Sequence, residues 1–165
     1  MKIKNYFILF TLFNFSCGIY SFTGADIHPN IESFSVDYFQ NQADLVQPFL
    51  SQEFTTALQD RFLQQTDLSI VRSGGDIHFE GYISDYFVRP ISISSNDQAN
   101  QNRLTITIFT RFENHIEPEK SYEQKFTRFA DFDSNLPLSS VEENMIDEII
   151  IELIEDIFNK AVVNW

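Results

Sequence analysis

The sequence has few of the residues that usually supply covalent cross-links or catalysis. Its 165 residues include one Cys, three His, five Gly and five Pro. A single Cys cannot form an internal disulfide, and the low Gly and Pro content argues against a low-complexity chain. Basic residues are also scarce, with 11 Lys and Arg against 24 Asp and Glu and a formal net charge of −13. Because an acidic chain repels phosphate backbones, we expect no nucleic-acid partner.

Apolar residues, in contrast, are abundant. They make up 43% of the chain, and 18 of them are Phe. This content is too high for a disordered protein, and the length fits one domain. The composition therefore predicts a single globular domain with a core rich in Phe.

The first residues have the pattern of an export signal. Lys2 and Lys4 precede a mainly apolar stretch over residues 6–15. This stretch is too short to span a membrane but is typical of a secretory signal. The lone Cys17 lies at its end, and in a lipoprotein signal cleavage occurs directly before a Cys that carries a diacylglyceryl group.

These features predict the domain organisation. We expect residues 1–16 to be a lipoprotein signal peptide, residues 17–30 a lipidated amino-terminal arm, and residues 31–165 a single domain. Of the three residues before Cys17, only Ser16 matches the usual lipoprotein pattern. The alternative is that Cys17 is an ordinary small residue near a cleavage site, or a free thiol.

Hydrophobic periodicity predicts the secondary structure of the domain. Alternation of apolar and polar residues predicts strands, and apolar residues recurring at three and four positions predict helices. The predicted strands are 31–39, 68–71, 77–90, 103–114 and 122–130, and the predicted helices are 48–66 and 141–161. Residues 41–47 and 94–102 are expected to be loops.

Two local motifs refine this prediction. The segment Ser73–Asp76, with two Gly, predicts a turn between neighbouring strands. Ser140 followed by Glu143 is a capping box for the last helix, whose remaining polar face is acidic and interpreted as solvated. The order β-α-β-β-β-β-α predicts an α+β two-layer sandwich, in which two helices pack on a mostly antiparallel sheet of four to five strands.

No catalytic or metal-binding motif stands out. The three His residues, at 28, 78 and 115, are far apart and lack further ligands at metal-binding spacing. His78 is interpreted as a solvated residue on the polar face of a strand. The sequence has neither a nucleophile elbow nor a phosphate loop. We therefore expect no enzyme activity, no cofactor and no metal.

The segment 131–142 partly matches a calcium-binding loop. Asp131, Asp133, Asn135 and Glu142 occupy ligand positions, but Leu136 replaces the Gly that forms the turn. The segment also follows a strand rather than a helix. We interpret the segment as a polar loop before the last helix rather than as a calcium site. Calorimetric titration with calcium would test this interpretation.

Basic residues are concentrated in or beside the predicted strands, whereas the helices carry mainly acids. The six residues are Arg72, Arg89, Arg103, Arg111, Lys125 and Arg128. A sheet face with such residues can contact an anionic lipid locally, even though the whole chain is acidic. Ordinary pairing with acids such as Glu80, Asp85 and Glu113 explains them equally well.

Several segments carry a resemblance to a known family. They are CGIYSFTG at 17–24, LSQEF at 50–54, FEG at 79–81, RLTI at 103–106, FAD at 129–131 and DIFNKA at 156–161. Together they resemble the lipopolysaccharide-assembly lipoprotein E (LptE-related) family. The resemblance covers essentially the whole chain after Cys17.

This resemblance implies a function and a location. Members are outer-membrane lipoproteins on the periplasmic side, with two helices against a sheet. They sit as a plug in the lumen of the large lipopolysaccharide-translocating β-barrel (LptD-like), assist its assembly and bind lipopolysaccharide. Only Cys17 carries over as a functional position, as the lipid anchor in the inner leaflet. The alternative is a free periplasmic or surface lipoprotein that acts as a binding module for another envelope partner.

Overall fold

The computed structural model describes residues 27–92 and 100–162, in which two helices cover one side of a six-stranded sheet. The strands are β1 (Ser33–Val36), β2 (Gln40–Asn41), β3 (Ser69–Ile70), β4 (Ile77–Ser92), β5 (Asn100–Asn114) and β6 (Tyr122–Asp133). The helices are α1 (Leu50–Gln65) and α2 (Glu142–Val162). The predicted α+β sandwich is confirmed. The sheet has one more strand than predicted. The strand predicted over residues 31–39 is shorter, as β1, and the chain then forms a second short strand, β2.

The sheet is mixed. Its order is β3-β1-β4-β5-β6, with β2 also paired to β4. The three long strands β4, β5 and β6 form an antiparallel meander, whereas β1, β2 and β3 join through parallel pairs. The predicted loop 94–102 is shorter than expected, since β5 begins at Asn100.

The predicted turn at Ser73–Asp76 does not join two neighbouring strands. Strand β1 lies between β3 and β4 and is parallel to both, so the connection must pass across β1. Gly75 makes this crossing possible, because a Cβ there would lie 2.6 Å from the carbonyl carbon of Phe34. The prediction failed because the position of β1 depends on pairing between residues distant in the sequence.

Phenylalanine rings form the centre of the core, as the composition predicts. Phe62 of α1 is fully buried. Its ring centroid lies 5.4 Å from that of Phe34, 4.9 Å from that of Phe79 and 5.0 Å from that of Phe158. Both sheet and helices contribute rings, so this cluster joins the two layers. Removing one such side chain from water stabilises the fold by roughly 1.5–3 kcal/mol.

The helices bury the faces that their periodicity predicts. On α1 the buried apolar residues are Leu50, Phe54, Leu58 and Phe62. On α2 they are Met145, Ile146, Ile149, Ile150, Leu153, Ile154, Ile157, Phe158 and Val162. Acidic residues of α2 such as Glu143, Asp147 and Glu148 are exposed, in agreement with a solvated face.

The cap predicted at Ser140 is wrong. Ser140 ends a short 3₁₀ turn (Leu138–Ser140), and its hydroxyl donates a 2.8 Å hydrogen bond to the Pro137 carbonyl. Helix α2 begins after this turn, at Glu142. The serine hydroxyl therefore bonds within the preceding turn instead of capping the helix. Ser side chains commonly form such hydrogen bonds with nearby backbone groups.

Candidate partner-binding face of the sheet

One side of the meander is not covered by the helices. Because side chains alternate along a strand, residues between the core positions of β4, β5 and β6 point away from α1 and α2. Their cross-strand rows are Glu80–Arg111–Glu123, Tyr82–Phe109–Lys125, Asp85–Thr107–Thr127, Phe87–Thr105–Phe129 and Arg89–Arg103–Asp131. We call these fifteen residues the open face.

Aromatic rings occupy two rows of the open face. Tyr82 and Phe109 stack with their ring centroids 5.1 Å apart. Phe87 lies two rows away on β4, and Phe129 on β6 is 49% exposed. Aromatic residues that remain accessible on a sheet face are typical of protein interfaces, since they contribute large contact areas at low entropic cost.

Arginine side chains lie on these rings. The Arg103 guanidinium carbon is 3.5 Å from the centroid of Phe129, and that of Arg89 is 4.4 Å from the centroid of Phe87. Guanidinium groups stack well on aromatic faces and retain donors for a further partner. The open face therefore combines apolar rings with directional donors.

Ion pairs hold two of the arginines in place. Arg103 donates to both carboxylate oxygens of Asp131, at 2.7 and 2.8 Å. Arg111 lies between Glu80 and Glu123, with a 2.7 Å hydrogen bond to each. The Arg103 hydrogen bonds lower the pKa of Asp131 below its ordinary value, since they favour the charged carboxylate. Hydrogen bonds with their carboxylate partners likewise raise the pKa of both guanidinium groups.

The structure divides the six basic residues predicted from the sequence. Arg89, Arg103, Arg111 and Lys125 come together on the open face. Arg72 does not, because it is exposed on the connection between β3 and β4.

Arg128 also lies apart from the open face. It points to the helix side, where it donates hydrogen bonds of 2.7 and 2.6 Å to Asp156 of α2. These bonds to Asp156 raise the pKa of Arg128. Arg128 therefore joins the sheet to α2 by an ion pair, the second of the two explanations left open for the basic residues.

The remaining predicted sites have different outcomes. Cys17 and the predicted signal peptide lie outside the described residues. The carboxylates of the partial calcium loop each bond to a different neighbour: Asp131 to Arg103, Asp133 to the backbone and side chain of Asn135, and Glu142 to the hydroxyl of Tyr86. Burial, followed by the Glu142 carboxylate, raises the pKa of Tyr86.

A further cluster was missed by sequence reasoning. Asp37, His78 and Glu80 each place one potential ligand atom within 4.8 Å of the others. His78 and Glu80 are two positions apart on β4, a spacing visible in the sequence. Asp37 joins them only through the parallel pairing of β1 with β4, for which the sequence gives no signal.

Comparison with known proteins identifies the family. A sequence model of LptE, described as lipopolysaccharide-assembly, matches residues 31–161. This range includes all six strands, all of α1, and α2 except for Val162. The chain therefore belongs to the lipopolysaccharide-assembly family LptE. Lipopolysaccharide assembly at the outer membrane is its general function, and the family is not enzymatic.

Solved structures share the fold at low sequence identity. A minor lipoprotein from Acinetobacter baumannii has 12% identity and a TM-score of 0.52, covering 79% of this chain and 91% of its own. A hypothetical protein from Chlamydia trachomatis has 7% identity and a TM-score of 0.54, covering 81% of this chain and 99% of its own. At these identities the likeness shows the fold alone. No curated protein matches the sequence.

Within residues 27–92 and 100–162, neither α1 nor α2 combines the length and the apolar character needed to cross a bilayer.

Proposed function

We propose that the protein is the plug and assembly partner of the large lipopolysaccharide-translocating β-barrel, an LptD-like protein. The family match over residues 31–161 carries this proposal. In it, the chain lies on the periplasmic side of the outer membrane, anchored in the inner leaflet through lipid on Cys17. The domain then contributes to lipopolysaccharide transport as a scaffold for the barrel and not as a catalyst.

The surface of the domain suits a polar barrel lumen. A lumen lined by polar side chains needs a partner that is soluble and rigid. The open face meets this need, since its rings are stacked and two of its arginines are fixed by carboxylates. We propose that this face contacts the barrel, whereas the helix layer packs on the opposite side of the sheet and completes the core.

Lipopolysaccharide contact is proposed to be local. Of the four basic residues on the open face, Arg103 and Arg111 are neutralised by Asp131, Glu80 and Glu123. Arg89 is exposed and stacks on Phe87, and within the described ranges no carboxylate pairs with it. A lipid phosphate therefore meets an accessible guanidinium at Arg89, which can bind it through two parallel hydrogen bonds.

Depletion and copurification test the proposal together. Depletion of the protein is expected to reduce lipopolysaccharide at the cell surface, and the tagged protein is expected to copurify with a large outer-membrane barrel. A paired Phe87→Ala, Phe129→Ala variant should lower barrel recovery, whereas Leu63→Ala on the exposed side of α1 should leave it unchanged. Normal surface lipopolysaccharide after depletion would contradict the transport role. Recovery of a different envelope protein would instead support the alternative, a free lipoprotein that binds another envelope partner.

The lipid anchor has its own test. Cys17→Ala is expected to release the protein from the membrane fraction or to leave the precursor unprocessed. Intact-mass spectrometry of the wild-type protein is expected to show loss of residues 1–16 and a mass increase from lipid at Cys17. An unmodified Cys17 in the membrane-bound protein would contradict lipid anchoring.

A further inference from the structure

We infer that Asp37, His78 and Glu80 form a binding site for a divalent transition-metal cation of the zinc type. The three side chains come from adjacent parallel strands. Asp37 follows β1, and its backbone N–H donates to the Phe79 carbonyl at 2.8 Å, which continues the β1–β4 ladder. This pairing places Asp37 beside His78 and Glu80 on the outward side of β4.

The imidazole ring is held in an orientation suited to metal binding. Its Nδ1 lies 2.8 Å from the hydroxyl oxygen of Ser35, a fully buried residue. That oxygen also accepts a 3.2 Å hydrogen bond from the Gly75 N–H. The opposite ring nitrogen, Nε2, lies 3.8 Å from a carboxylate oxygen of Asp37. Metal-binding histidines commonly use one ring nitrogen for the metal while the other is fixed by a hydrogen-bond acceptor.

The second carboxylate is positioned from the other side. Glu80 accepts a 2.7 Å hydrogen bond from Arg111, which Glu123 holds with a second bond of 2.7 Å. The carboxylates of Asp37, Glu80 and Glu123 outnumber the single positive charge of Arg111. With a neutral His78, the site therefore has an excess of negative charge. A divalent cation would balance this excess.

The ligand types select the class of metal. One imidazole nitrogen and two carboxylate oxygens suit zinc and related ions, whereas calcium and magnesium prefer sites made only of oxygen. Ligand atoms around tetrahedral zinc lie roughly 3.3 Å apart. In the structure the three ligand atoms lie within 4.8 Å of one another, so the side chains would have to move slightly closer together. Asp37 is 56% exposed at its side chain and can make this movement.

Water can complete the coordination. A cavity of about 320 Å³ adjoins the cluster, and its lining includes Asp37, Gln40, Glu80 and Tyr82. Zinc sites with three protein ligands usually take water as the fourth. The site is therefore open to exchange with solvent.

Calorimetric titration with zinc chloride tests this site on the full membrane-extracted protein, carrying no histidine tag. We expect saturable binding of about one zinc ion per chain, and cobalt should give the visible absorption of a tetrahedral ion. His78→Gln, Asp37→Asn and Glu80→Gln should each weaken zinc binding by about tenfold or more. His115→Gln is the matched control, because this exposed histidine lies outside the cluster, and it should leave affinity unchanged.

Circular dichroism and the urea midpoint check that each variant is folded before titration. Millimolar calcium and magnesium should fail to compete with zinc. Absence of zinc binding, binding retained in His78→Gln, or equal competition by calcium would each overturn the site. Because these readouts do not involve a barrel or lipopolysaccharide, they stand or fall separately from the proposed function.

Discussion

The two sides of the same sheet differ in what fills them. On the side that faces α1 and α2, Phe79 and Phe112 pack ring to ring with their centroids 4.9 Å apart, and both are almost inaccessible. On the open face, Phe129 remains 49% exposed beneath the Arg103 guanidinium. The strands are shared, so the difference arises only from alternation along each strand.

This contrast separates stability from recognition. Burial of apolar area is the main favourable contribution to folding, and it is concentrated on the helix side. The open face keeps the Phe129 ring and the Arg89 guanidinium accessible to a partner. Mutations on the two sides should therefore affect different measurements.

The largest effect on stability is expected from Phe62→Ala. This substitution removes a fully buried ring that contacts Phe34, Phe79 and Phe158. Loss of transfer free energy together with a cavity should lower the free energy of unfolding by about 3–5 kcal/mol. Urea denaturation followed by circular dichroism measures it.

The matched substitution on the other side is Phe129→Ala. Since half of this ring is already exposed, its removal should cost less than about 1 kcal/mol in the same urea experiment. Equal losses for Phe62→Ala and Phe129→Ala would contradict the separation between the two sides.

A smaller effect is expected where the sheet meets the beginning of α2. The Tyr86 hydroxyl donates to the Glu142 carboxylate, and Tyr86 is buried. Tyr86→Phe keeps the ring but removes this hydrogen bond, and should lower the free energy of unfolding by about 1–2 kcal/mol.

The Tyr86 pKa also fixes the pH range of that effect. The pKa is raised in the folded state, because burial and Glu142 disfavour the phenolate. The contribution of Tyr86 to the free energy of unfolding is thus complete below its ordinary pKa of 10.0. It declines as the pH rises further towards the pKa of Tyr86 in the folded protein. Urea midpoints of wild type and Tyr86→Phe should differ at neutral pH and converge in strong alkali. An unchanged midpoint at neutral pH would show that the hydrogen bond does not stabilise the fold.

The smallest effect is expected from the exposed ion pair of Asp131 and Arg103. The pKa of Asp131 is lowered, so its contribution is present above its ordinary pKa of 3.8 and is lost as the pH falls through the lower folded value. Asp131→Asn should reduce the acid dependence of the urea midpoint, with little change at neutral pH and less at high salt. If the urea midpoints of wild type and Asp131→Asn fell equally with decreasing pH, the proposed contribution of Asp131 would be refuted.

Periodicity was sufficient to predict much of the fold. Both helices, the three long strands and the Phe-rich core follow from spacing that can be read within single segments. The neighbours of β1 could not be predicted, because β3 and β4 pair with it across distant segments of the chain. For the same reason, the meeting of Asp37 with His78 and Glu80 gave no local signal.

The position of Arg128 follows from alternation along β6. Arg128 is two residues from Phe126 and two from Ala130, both buried, and this alternation alone places it on the helix side. A different limit applies beyond Ile83, where the register shift between Ile83 and Asp85 changes which residues face the core. Tyr86 is buried as a result, and no sequence pattern indicates such a bulge.

Site-specific photocrosslinking in living cells tests most directly whether the open face meets the barrel. A photoreactive amino acid would replace Phe87 or Phe129 on the open face, or the exposed Leu63 and Ile151 of the helix layer. We predict adducts with a large outer-membrane barrel from the open-face positions and few from the helix positions. Adducts formed only from Leu63 and Ile151, with none from Phe87 and Phe129, would contradict the assignment.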